Sequence, residues 1–211
     1  QLGVKKMKGH INLLLFEQTY VYRNRVQYTG WYESVVIILH FKNCREILVS
    51  FIVSTKADAF VVERAKSHSI PSIVLNKDQF TQTENLLTEL DKHHVDFIVL
   101  AGFLWLIPPY LIRAYPNSII NIHPALLPKY GGKGMYGMNI HRAVIDAKEG
   151  ESGITIHYVN EEYDDGKILF QKSCAIDLTD TPESLAEKIQ HLEHEHFPDV
   201  IEQLLIPNTT K

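Results

Sequence analysis

The sequence predicts an α/β fold: a mostly parallel sheet with helices on both faces, and antiparallel strands near the carboxyl-terminal part. Three observations point there. Short β-branched apolar runs alternate with stretches of helical periodicity, as in a sheet built from crossover units. Several of those runs are continuously apolar, as strands covered on both faces are. The last two runs are separated only by E-E-Y-D-D-G-K, which also suits an antiparallel hairpin.

The elements follow in order. Ile11–Phe16 is the first strand, and Glu33–Asn43 the first helix. Ile47–Ser54 is a strand. Ala57–His68 is helical, because Phe60, Val61, Arg64 and Ala65 share the 3, 4 spacing of an amphipathic face. Strands Ser72–Leu75 and Asp96–Ala101 flank a helix over Thr83–His93. Pro109–Tyr115 is a short helix before the strand Ser118–Ile122. Met138–Lys148 is helical, and Ile154–Asn160 with Ile168–Ile176 form the late strand pair. In the last helix Thr181 is the N-cap and Pro182 the first helical residue. Leu185, Ile189, Leu192 and His196 recur at helical spacing, continuing towards Val200 and Leu204, and Pro198 is expected to kink or split the helix.

At 211 residues one domain is the default, and 45% apolar with 22% charged residues is ordinary for a chain that buries a real core. A net charge of −4 gives no footprint for nucleic acid or an anionic membrane. Cys44 and Cys174, far apart, read as reduced thiols of a cytosol. The longest apolar run, Val35–Leu39, is far too short to span a bilayer. Lys5, Lys6 and Ile11–Phe16 resemble a signal peptide only faintly, with no small-residue cleavage site. The expectation is a soluble cytoplasmic protein, monomer or homodimer, with small-molecule ligands and neither nucleic acid nor membrane as partner.

The segment Ser118–Gly137, S-I-I-N-I-H-P-A-L-L-P-K-Y-G-G-K-G-M-Y-G, carries the most chemistry. In a strand, side chains at i and i+2 share a face, so Asn121 and His123 point one way and Ile120 and Ile122 the other. Pro124 disfavours helix at His123. Polar donors at the carboxyl end of a strand, followed by a glycine-rich loop, mark a reaction centre in an open α/β sheet.

N-I-H-P-A-L-L-P-K-Y-G-G, joined to S-G-I-T-I-H-Y-V-N-E-E-Y-D-D-G, resembles the phosphoribosylglycinamide formyltransferases, a folate-dependent formyltransferase family. The likeness runs from about Ile47 through D-F-I-V-L-A-G-F-L-W-L-I-P-P to L-E-H-E-H-F-P. It implies a single formyltransferase domain over 1–211, a Rossmann-like parallel sheet extended by antiparallel strands. It also implies formyl transfer from 10-formyltetrahydrofolate to the amine of glycinamide ribonucleotide, with no metal. The family's catalytic asparagine, histidine and aspartate fall on Asn121, His123 and Asp164. Its folate pocket falls on Leu104, Trp105, Leu106 and Ile107, on Asn121, and on Asn160, Glu161, Glu162, Tyr163 and Asp164. Its substrate-side glutamate falls on Glu193, with Gln190, His191 and Leu192 beside it.

These residue types suit that chemistry. Attack of an amine on a formyl carbon builds a tetrahedral oxyanion, and losing one preorganised donor to it typically costs about 10²–10³ in rate. Asn121 and His123 each offer a donor, and His123 titrates nearest working pH, so it is the general acid. A carboxylate beside it favours the imidazolium, so Asp164 is expected to raise the histidine's pKa and to accept the amine's proton.

Plainer readings stand beside these. His123 before proline also reads as a satisfied strand-end histidine. Asp164-Asp165-Gly166 reads as a turn, in which either aspartate is the functional one. Glu193 lies in H-L-E-H-E-H, a face that also suits solvent. His191 and His194 share a face but His196 does not, against a zinc site. Gly131–Gly137 reads as a lid more than as an anion nest, and Leu104–Ile107 as an exposed apolar clamp more than as core.

Residues 1–36 do not fit the family. Its first strand leads into a small glycine-rich loop that holds the substrate phosphate at a helix start; here E-Q-T-Y-V-Y-R-N-R-V-Q-Y-T-G-W-Y follows. Three explanations compete: a rebuilt phosphate site using Arg23 or Arg25, a lost one, or a shifted reading frame up to about Val36. The abrupt return of family-like sequence favours the last. The rival functions are formyltetrahydrofolate hydrolase or another folate formyl enzyme, and a non-catalytic folate-binding protein. The hydrolase and the tRNA-directed relatives normally carry a further domain that this chain is not expected to have.

Overall fold

The computed structural model describes residues 10–17 and 33–206. Its strands are β1 (Ile11–Glu17), β2 (Ile47–Ser54), β3 (Ser72–Val74), β4 (Phe97–Ala101), β5 (Ile119–His123), β6 (Glu151–Tyr158) and β7 (Ile168–Ala175). Its helices are α1 (Glu33–Phe41), α2 (Phe60–Ser67), α3 (Lys77–Thr81), α4 (Asn85–Lys92), α5 (Pro109–Ala114), α6 (Met138–Asp146) and α7 (Pro182–Leu205). The strands form one sheet in the order β3-β2-β1-β4-β5-β6-β7. Pairing is parallel from β3 to β5, and antiparallel between β5 and β6 and between β6 and β7. This is the expected sheet.

The continuous apolar runs have a direct cause. In β1, Leu13 and Leu15 enter one apolar cluster while Leu14 and Phe16 enter the other. β4 repeats this, with Phe97, Val99 and Ala101 on the first face and Ile98 and Leu100 on the second. Side chains alternate, so a strand covered on both faces is apolar at every position. Helices α1, α2, α6 and α7 cover the first face. Phe80 of α3, Leu86 and Leu90 of α4 and Leu111 of α5 cover the second.

The second cluster stops near β5, with Ile119 inside it and Val159 at its margin. Asn121 and His123 follow Ile119 on that face, while Ile120 and Ile122 enter the first cluster. In β6, Ile154, Ile156 and Tyr158 also enter the first cluster. That leaves Thr155 and His157 on the face of Asn121 and His123, and the pairing sets Asn121 opposite His157 and His123 opposite Thr155. The apolar layer thus ends where the polar side chains begin, and a cleft opens there.

Some elements differ from expectation. Helix α3 was unforeseen, although Asn76 and Gln79 bond reciprocally (both 2.9 Å) in a capping box. Helix α2 starts at Phe60 and not at Ala57, because a turn closed by Ala59 N–H to Lys56 O (3.3 Å) occupies the stretch before it. Helix α7 has the predicted Thr181 cap, with Ser184 completing the box. It is not split at Pro198 but runs unbroken for 24 residues. Flanking Phe197 and Ile201 are buried and pin the helix to the core on both sides of the proline. Its buried stripe passes through Phe197, Ile201 and Leu205, while His196, Val200 and Leu204 are only partly covered. Lys188 bonds Asp177 and Asp180 beyond the end of β7, whereas Glu202 meets His40 of α1. Among the described residues, no helix is long and apolar enough to cross a membrane. The segment with Arg23 and Arg25 lies outside the described residues.

Candidate active site

The loop after β5 is held by a polar clasp. Thr155 Oγ1 donates to Ala125 O (2.7 Å) and accepts from Leu127 N–H (3.0 Å). Gln171 Nε2 donates to the same hydroxyl (2.9 Å) and to Leu127 O (3.0 Å). The loop therefore turns back until the carbonyl of Tyr130 lies 2.8 Å from Nε2 of His123. A carbonyl only accepts, so Nε2 carries the proton and Nδ1 faces the cleft side.

Asp164 arrives from the β6–β7 loop. Asn160 Oδ1 accepts from Glu162 N–H (3.0 Å), and Asn160 Nδ2 donates to Asp165 (3.1 Å). Gly166 packs so tightly under Tyr158 that a Cβ there would lie 1.6 Å from the Tyr158 carbonyl oxygen. Asp164 itself sits at φ 54°, a region that aspartate tolerates better than most residues. Its Oδ2 accepts from Gly132 N–H (2.9 Å). Its Oδ1 lies 3.5 Å from His123 Nδ1 and 3.7 Å from His157 Nε2. Asp165 takes the turn contact, and Asp164 is the carboxylate that lines the cleft.

His157 fixes Asn121. Its Nδ1 donates to Tyr158 O (2.8 Å), so in the neutral ring Nε2 is an acceptor, and it receives Asn121 Nδ2–H (3.2 Å). That orients the amide and leaves its second N–H available. Burial lowers the pKa of both His123 and His157, and the nearby Asp164 carboxylate offsets only part of this. The expected upward shift of His123 is thus corrected: at 4% exposure, desolvation outweighs a carboxylate beyond hydrogen-bond distance.

The cleft measures about 740 Å³. Leu104, Trp105, Leu106 and Ile107 line one part; Ile107 is buried, and Trp105 packs on Phe80 and Phe103. Asn121, His123, Glu162, Tyr163 and Asp164 also line it, as do Gln190 and Glu193. Asn160, Glu161, His191 and Leu192 do not: Asn160 holds the turn, His191 is exposed and Leu192 packs towards the core.

The cleft residues missed from the sequence include Glu33, His141 and His157. His157 opens the motif H-Y-V-N-E-E-Y-D-D, but only the β5–β6 register reveals its partner. His141 has no sequence signal. Glu33 is buried and faces Glu193; burial, then the like charge of Glu33, pushes the Glu193 carboxyl well above the usual carboxylate range.

The open, mostly parallel sheet that brings an amide, an imidazole and a carboxylate together here is a fold shared with a known class of proteins. The formyl transferase family model matches residues 34–201, and this chain belongs to that family. Within it, the chain is similar to proteins named phosphoribosylglycinamide formyltransferase. The chloroplastic protein of Arabidopsis thaliana is 44% identical over 158 residues, 72% of this chain and 54% of the relative. This chain thus spans about half the length of that relative. The Bacillus subtilis protein is 39% identical over 180 residues, 82% of this chain and 88% of the relative. The crystal structure of the Bacillus halodurans protein superposes with a TM-score of 0.78 at 32% identity, over 92% of this chain and 95% of that one.

Proposed function

We propose that this chain is a single formyltransferase domain that moves a formyl group from 10-formyltetrahydrofolate to the amine of glycinamide ribonucleotide. The observation that carries the reading is the meeting of Asn121, His123 and Asp164 in one cleft, with His123 Nδ1 3.5 Å from Asp164 Oδ1. A volume of about 740 Å³ suits small-molecule substrates, whose sites typically measure about 300–1,000 Å³. Leu104–Ile107 offer a flat pteridine an apolar wall, and Glu162, Tyr163 and Asp164 offer it backbone groups. Gln190 and Glu193 face the ribose of the acceptor.

The steps follow from which atoms are free. Nε2–H of His123 is committed to Tyr130 O, so Nδ1 is the transferring nitrogen. In the neutral ring it takes a proton from the attacking amine. The resulting imidazolium is stabilised by Asp164 Oδ1 and then protonates the departing folate nitrogen. The second N–H of Asn121 donates to the oxyanion of the tetrahedral intermediate. Protons balance, and no covalent enzyme intermediate forms.

The test mixes the protein with 10-formyltetrahydrofolate and glycinamide ribonucleotide and follows free tetrahydrofolate. Release that requires the ribonucleotide supports the reading. Release without it points to a hydrolase, and binding without turnover to a folate-binding protein; either result overturns it.

A further inference from the structure

His141, in the first half of α6, is only 2% exposed yet lines the cleft. Its Nδ1 is sealed from solvent and has no hydrogen-bond partner. Such a group is a standing free-energy loss in the empty protein, and buried polar atoms are rarely left so. Burial, then the nearby His123, lowers its pKa to about 4, so the ring is uncharged at neutral pH. An uncharged ring is a poor partner for a phosphate but a good one for an amide. Its position narrows the ligand. The ring neighbours His123, and α6 packs against α7, which carries Gln190 and Glu193.

We propose that His141 is a further substrate-binding residue, whose imidazole hydrogen-bonds the neutral amide that joins the reacting amine of the acceptor to its ribose. This rests on the formyl transfer proposed above. The reacting amine must come within about 3 Å of His123 Nδ1, and the amide is the next polar group along the acceptor. A side chain packed beside His123 on the way to α7 lies where that amide passes. The hydrogen bond would be formed only when the acceptor is present, so the imidazole belongs to the acceptor half of the cleft and not to the folate half.

Steady-state kinetics of His141→Leu and His141→Gln, with thermal melts of the substrate-free proteins, test this. For His141→Leu the KM for glycinamide ribonucleotide should rise about tenfold. The KM for 10-formyltetrahydrofolate should stay within twofold, and the melting temperature should hold or rise because an unmet polar group is gone. His141→Gln should recover most of the acceptor KM. An acceptor KM unchanged in an active His141→Leu protein overturns the proposal alone, as does an equal rise in both KM values. A parent protein without ribonucleotide-dependent turnover overturns the formyl-transfer reading and this proposal with it.

Discussion

Replacing Gly166 with alanine adds one methyl group at the tightest contact of the site. The new Cβ would lie 1.6 Å from the Tyr158 carbonyl oxygen and 2.6 Å from its carbon. Non-bonded atoms rest near 3.5 Å, so loop and strand must part by about 2 Å. Both are backbone, so no side chain can rotate away. Asp164 lies two residues earlier in the same loop, and its Oδ1 must stay close to His123 Nδ1, now 3.5 Å away. Misplacing a catalytic group by about 1 Å can cost about 10²-fold, so kcat should fall about 100-fold or more. Overpacking typically destabilises by about 1–3 kcal/mol, which lowers Tm by about 2–12 °C in a chain of this size. The assay is ribonucleotide-dependent release of tetrahydrofolate, beside a thermal melt. A folded Gly166→Ala protein with kcat within threefold of the parent refutes the idea that this contact sets the position of Asp164.

Other outcomes follow from the same contacts. In the proposed mechanism the neutral His123 is the base, and burial lowers its pKa, so kcat/KM should rise with pH through a midpoint below the ordinary imidazole value of about 6.5. Asp164 raises the His123 pKa, so Asp164→Asn should lower kcat and move that midpoint to still lower pH; an upward shift counts against the pairing. Thr155→Val strips the clasp from Leu127 N–H and should destabilise by about 1–3 kcal/mol in urea melts; an unchanged midpoint would show that the clasp adds nothing. His141 has a folded-state pKa of about 4, below the unfolded value of about 6.5. Folding stability should therefore be fully present above pH 6.5 and fall by about 3 kcal/mol as pH drops towards 4. His141→Leu should flatten that decline, as denaturation across the pH range would show.

Much of this was legible in the sequence because burial on both faces writes itself as apolar runs. All seven expected strands occur, within three residues at each end, since residues 13–16 of β1 and the whole of β4 are covered on both faces and must be apolar. The hairpin of β6 and β7 was legible from a short polar connection. Helix α3 was missed because it is only five residues long and shows no periodicity, though its cap was readable. The site was legible only along single segments. Asn121 and His123 share a face by strand geometry alone, whereas their closeness to Asp164 came from family likeness. His157 depends on the register of an antiparallel pair, and His141 on how α6 leans over the cleft. Neither relation leaves a local pattern.

The contacts that aim the polar side chains of the cleft end largely on main-chain atoms: the carbonyls of Tyr130 and Tyr158 and the amide of Gly132. Alanine scanning at those tyrosines would leave both acceptors in place, so the geometry is encoded in peptide path, not in side-chain identity. Swapping the amide of Gly132 for an ester, or changing the loop length, would loosen the aspartate without altering any of these side chains. Tyr158 can therefore change its side chain and still present the same acceptor, whereas Gly132, at φ 89°, and Tyr130, at φ 57°, are limited by their backbone conformation.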